Sequence, residues 1–188
     1  MKKVNIICII FVSIFLLSAN DDQPQEKYYY GFDEKIPLYE APNKVVVCFD
    51  EKHLSEIQTN LRHNAQILSM DFKFENNYAI LTIVENANVR ALKEDLKKLA
   101  GIKSVNPLYH GKVVTDEIIV QFKEHVSQQE IDNIVQKYRL VVNRISSWRS
   151  HLLSVPIDFD LLEVTNAIQE SGLVNYSHPN FYSEIVTL

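Results

Sequence analysis

One unit is written twice in this chain, and an internal duplication constrains the fold more tightly than any single motif. The stretch NKVVVCFDEKHLSEIQTNLRHNA, residues 43–65, returns as DEIIVQFKEHVSQQEIDNIVQKY, residues 116–138. Val45, Val47 and Phe49 fall on Ile118, Val120 and Phe122 at a shift of 73, the same period-two apolar face. Ile67-Leu68 falls on Leu140-Val141, Phe72 on Ile145, and Tyr78-Ala79-Ile80-Leu81 on His151-Leu152-Leu153-Ser154. Gly101-Ile102 then matches Gly172-Leu173 at a shift of 71, and Asn106-Pro107 matches His178-Pro179 at 72. Agreement across so many segments in one order marks a repeat. Each copy reads strand, helix, strand, strand, helix, strand.

The helix starts of the second copy are well written. Ser127 with Glu130 forms a capping box, and Val126 can staple onto Ile131. Ile131, Ile134, Val135 and Tyr138 line one face. Asp160 caps the next helix, with Phe159 able to staple onto Val164, and Gly172 stops it. In the first copy Asn88 caps a helix with Val89, Leu92, Leu96 and Leu99 as its buried stripe, and Gly101 ends it. The cap of the first copy's opening helix stays open between Asp50 and Ser55.

The order βαββαβ predicts an α+β chain of two tandem ferredoxin-like domains with antiparallel sheets, residues 44–110 and 111–188. Both helices of each copy cover one sheet face and leave the other open. The open face should carry Val46 and Cys48 in the first copy, and Ile119, Gln121, Arg144, Ser146 and Leu152 in the second. The last strand is expected over residues 173–176, with His178-Pro179-Asn180 as a turn, and Trp148 as a core or sheet-edge anchor. Residues 20–43 form an arm. Within it YYYGFDEKIPLYEAPN reads as a β-hairpin, or as an extended arm pairing with an edge strand.

The opening MKKVNIICIIFVSIFLLSA, residues 1–19, has a basic start, an apolar run and a small-residue end, and predicts a secretory signal peptide. The expectation is a protein secreted to the periplasm or the exterior, without a membrane span after cleavage. Removing Lys2 and Lys3 leaves 17 basic against 24 acidic residues, a net charge of −7. Without a basic stripe, an acidic chain is a poor partner for nucleic acid. Cys8 leaves with the leader, so Cys48 has no intrachain partner and packing alone must hold the fold.

Catalytic signatures are missing from the sequence. None of the four glycines (31, 101, 111 and 172) sits in a phosphate-cradling loop or a nucleophile elbow. Histidines 53, 63, 110, 125, 151 and 178 show no i, i+4 pair and read as solvated loop or edge positions. No metal, no cofactor and no enzymatic activity are expected.

The second copy resembles a subtilase propeptide, in particular the fervidolysin-like N-terminal prodomain. The resemblance runs through IIVQFK, the Ser-capped helix ending Lys137-Tyr138, LVVNRIS, LLSVP, AIQESGLV and NYSHPNFY. The first copy resembles the same module through VVVCF, ILSMDF, AILTIV and GIKSVNPLY. The resemblance implies a subtilisin-like serine protease as partner, with the open sheet face laid on the protease surface, and a role as inhibitor and folding chaperone. It also implies a C-terminal segment, Ser183, Glu184, Ile185, Val186, Thr187 and Leu188, that runs into the substrate cleft. No Asp, His or Ser triad motif follows the module, so the expectation is either a free-standing protein acting in trans or a remnant of a longer precursor. The alternatives are a structural or adhesive module that keeps only the fold, and the orphaned pro-region of a truncated subtilase precursor.

Overall fold

The computed structural model describes residues 27–146 and 148–183; the expected leader and Glu184, Ile185, Val186, Thr187 and Leu188 lie outside the described residues. The fold is α+β with antiparallel sheets. After a hairpin of β1 (Tyr28–Gly31) and β2 (Glu34–Pro37), the first half runs β3 (Glu40–Phe49), α1 (Leu54–Arg62), β4 (Ile67–Lys73), β5 (Tyr78–Ile83), α2 (Val89–Lys97) and β6 (Ile102–Tyr109). The second half repeats the order with β7 (Lys112–Phe122), α3 (Gln128–Lys137), β8 (Val141–Ile145), β9 (Ser150–Ser154), α4 (Leu161–Glu170) and β10 (Val174–Ser183). The sheet order is β4-β5-β3-β6-β7-β9-β8, with β10 also on β7, so each half places its strands second, third, first, fourth.

Local chemistry sets the helix boundaries. Ser127 and Glu130 make the full capping box, while Asn88 and Asp160 accept the N–H of Ala91 and Glu163 at 3.0 and 3.1 Å. The open question at the first helix is settled by Asp50. Its side chain accepts from Lys52 N at 3.1 Å, capping a 3-10 turn (Glu51–His53) that leads into α1. Gly101 holds φ of +80°, and a Cβ there would lie 2.4 Å from the Cβ of His53. Glycine alone fits both demands.

Period-two alternation then builds two cores. Val45, Val47 and Phe49 pack under Ile57, Leu61, Leu92 and Leu96. Ile118, Val120 and Phe122 pack under Ile131, Ile134, Leu162 and Ile168. The hairpin forms its own two-stranded sheet rather than pairing with an edge strand. It lies on α4: Tyr30 Oη donates to Glu170 at 2.7 Å and Asn166 Nδ2 to Tyr28 O at 3.0 Å. Leu38 follows it into the second core, and Tyr29 meets Phe181 edge-on at 4.9 Å.

Four expectations are corrected. β10 extends to Ser183 instead of ending near Tyr176, and His178 and Pro179 are strand residues opposite Ile119 and Ile118, not a turn. Pro179 is tolerated because among the described residues β10 has only β7 as a strand neighbour, and a bulge follows it. Tyr78 pairs with Cys48 as Ser150 pairs with Gln121, so the third strands align at a shift of 72, one residue from the sequence match. Trp148 is no anchor in the core or sheet; it lies in the β8–β9 turn, 78% exposed. His151 is not solvated: it is buried, with its ring edge-on to Phe122 at 5.1 Å.

Candidate functional site

The faces opposite the helices differ between the two halves. In the first, Val46, Cys48, Tyr78 and Ile80 were expected to be open or are their face neighbours by register, and all are buried. Val113 at the start of β7 and Tyr182 at the end of β10 cover them, together with Leu108. Tyr182 stacks on Tyr78 with centroids 5.6 Å apart, and Asn106 Nδ2 donates to Val114 O and Thr115 O at 3.3 Å. A strand pair long enough to reach back across the first sheet thus fills its face. Burial pushes the Cys48 thiol up to about 12, ahead of the opposing effect of Ser104. Cys48 of the native protein should therefore resist iodoacetamide at neutral pH and be alkylated only on unfolding, as read by peptide mass spectrometry.

In the second half the equivalent face stays accessible. Ile119 lies between Leu152 and His178, and Gln121 between Ser150 and Tyr176; all six are half-buried. Tyr176 and His178 stack at 5.4 Å, and Tyr176 Oη lies 3.2 Å from Ser150 Oγ. Gln121 is held at both ends, donating to Trp148 O at 3.1 Å and accepting from Asn175 at 3.2 Å. At the near end Glu117 accepts from Asn143 and Asn180 at 2.8 and 3.0 Å. The result is an apolar centre, Ile119 with Leu152, framed by aromatic and amide groups whose positions are fixed.

Of the residues singled out by sequence, Ile119, Gln121 and Leu152 come together on this face. Arg144 pairs opposite Leu152 at its rim and is exposed. Ser146 lies past the end of β8, its N–H donating to Ser150 O at 2.8 Å. Ser183, expected to begin a free tail, ends β10 opposite Lys112. Tyr176 and His178 belong to the face and were missed: His178 because the last strand was expected to stop at Tyr176, and Tyr176 because a register shift after Val174 sets which face it joins. The match of His178-Pro179 to the strand residues Asn106-Pro107 was the signal for them.

A groove of about 450 Å³ lies on the other side, where Lys93 and Lys97 of α2 approach the start of α4. Its charges offset one another: Lys27 sits 2.9 Å from Asp160 and 3.3 Å from Glu163. Burial lowers the Lys93 ammonium and raises the Asp116 carboxyl from their ordinary ranges. Among the described residues, no group of three or more His, Cys, Asp or Glu is placed to hold a metal ion.

The second half thus presents a helix-backed antiparallel sheet with a half-apolar open face. Residues 109–180 match the family model of the fervidolysin N-terminal prodomain, the family that the sequence of the second half resembles. Small heat shock protein 21 of Candida albicans is 26% identical over 117 residues, 62% of this chain and 54% of that protein. The chain thus spans about half the length of that curated relative. Among solved structures, the small subunit of acetolactate synthase from Thermotoga maritima aligns with a TM-score of 0.30 at 14% identity, over 75% of this chain and 96% of that one.

Proposed function

We propose that this is a secreted, non-catalytic, propeptide-like protein that binds a subtilisin-like serine protease, inhibiting it and assisting its folding. In this reading both halves are ferredoxin-like copies with divided labour. The first has its open face filled from within and serves as a buttress; the second keeps its face for the partner. The observation that carries the proposal is this inequality: Val46 is 0% exposed, while its counterpart Ile119 is only half-buried at the centre of an ordered surface. The prodomain match over residues 109–180 falls on the half that carries that surface. An apolar patch held in place by satisfied polar neighbours lowers the ordering cost of docking.

Titration of the full chain against a panel of subtilisin-like proteases tests the proposal. Stoichiometric loss of peptidase activity against at least one is expected, and failure to bind any of them would leave the fold without this role.

A further inference from the structure

The outer edge of the second sheet, which adjoins the open face at Arg144, offers a second surface. β9 is the only strand partner of β8 among the described residues, so a row of backbone N–H and C=O groups faces outward. Val141, Val142 and Ile145 are 58%, 43% and 60% exposed, and Trp148 just beyond them is exposed as well. Natural sheets normally blunt or cover such an edge. Trp148 and Arg149 are tied to the body of the second half. Besides the Gln121 bond to Trp148 O, the Arg149 guanidinium donates to Glu124 O and Val126 O at 2.7 Å each. A large aromatic on a fixed backbone is a typical interface anchor.

Charge identifies what fits there. From Lys137 to Arg149 the chain carries Lys137, Arg139, Arg144 and Arg149 and no acid, in a protein of net charge −5. Arg139 is paired with Asp158, and Arg149 is taken up by the two carbonyls. Arg144 is exposed and has no ion pair among the described residues. Glu117, the acid nearest this rim on the sheet face, is already bonded by Asn143 and Asn180.

We propose that β8 is a strand-addition site for an acidic, extended segment of a partner protein. Backbone hydrogen bonds along the outer edge supply affinity, Trp148 and Ile145 take apolar side chains, and Arg144 selects carboxylates. A second copy of this chain fits less well, because two acid-free basic rims would then meet.

Trp148 is the single tryptophan of the chain, so its emission reports on this rim alone. The full chain is titrated with an alternating Glu-Val peptide and, in parallel, with a Lys-Val peptide of the same length. The acidic peptide is expected to shift Trp148 emission to the blue saturably, and the basic peptide to leave it unchanged. Arg144→Glu should weaken the acidic peptide at least about tenfold, with the circular dichroism spectrum retained. Ile119→Lys should bind it as the wild type does, which separates this site from the open face. No response to the acidic peptide, equal response to both peptides, or indifference to Arg144→Glu would overturn the proposal. A blue shift that grows with protein concentration in the absence of peptide would assign the edge to a second copy instead.

Discussion

Val46→Lys is expected to destabilise the protein by at least about 3 kcal/mol, whereas Ile119→Lys, its counterpart one repeat later, should cost less than about 1 kcal/mol. Both residues sit at the same register in the first strand of their halves, Val46 opposite Ile80 and Asn106, Ile119 opposite Leu152 and His178. Sequence alone gives no reason for them to differ. In the fold, Val46 is sealed beneath Val113 and Tyr182, so a lysine there must bury an unpaired ammonium or pry the strand ends away. Among the described residues Ile119 has no such cover, and a lysine there can reach water. For a folded unit of this size a difference of about 2 kcal/mol corresponds to about 4–8 °C in melting temperature. Equal losses in thermal or urea unfolding would mean that the two faces are equally covered.

Leu38→Ala should cost about 2–5 kcal/mol, the range for deleting a buried leucine side chain. Leu38 precedes both repeats, yet it is 6% exposed and belongs to the second core with Tyr109, Ile118 and Phe122. Its N–H donates to Lys27 O at 2.8 Å, and the adjacent Tyr39 O accepts from His110 N at 3.0 Å. The arm is therefore an integral part of the second half. Residues 112–188 expressed alone should melt well below the full chain, because Leu38, Tyr109 and Tyr29 leave their core. A Leu38→Ala unfolding midpoint matching the wild type would show the arm to be dispensable.

What the sequence made legible follows from which signals are local. Capping at Ser127, Asn88 and Asp160, the stripes of α2 and α3, and the alternation of Val45, Val47 and Phe49 all depend on neighbours a few residues away, and these features hold in the structure. The covering of Val46 and Cys48 depends on residues 113 and 182, distant in sequence and supplied by the other copy, and no pattern around Val46 announces it. His178-Pro179 looks like a turn because proline removes a ladder donor, but on an edge strand that donor is not needed. Trp148 misled for a related reason: an apolar residue after an apolar strand reads as core, while Arg149, with φ of +54°, turns the chain outward there. For the candidate site, alternation was enough to find Ile119, Gln121 and Leu152. His178 required knowing that β10 continues to Ser183, and Tyr176 required the register shift that follows Val174.

The central claim is that the open face of the second sheet, and not the filled face of the first, meets a protease. The most direct measurement is the inhibition constant of full-length Ile119→Lys against a subtilisin-like protease that the wild-type chain inhibits, with Asn60→Lys on the exposed side of α1 as the control of equal charge change. The account predicts inhibition weakened at least about tenfold for Ile119→Lys, consistent with losing a central apolar contact worth about 1.5–3 kcal/mol, with melting temperature nearly unchanged and the control as potent as wild type. Wild-type potency in a correctly folded Ile119→Lys variant would contradict it and remove this face from the interaction.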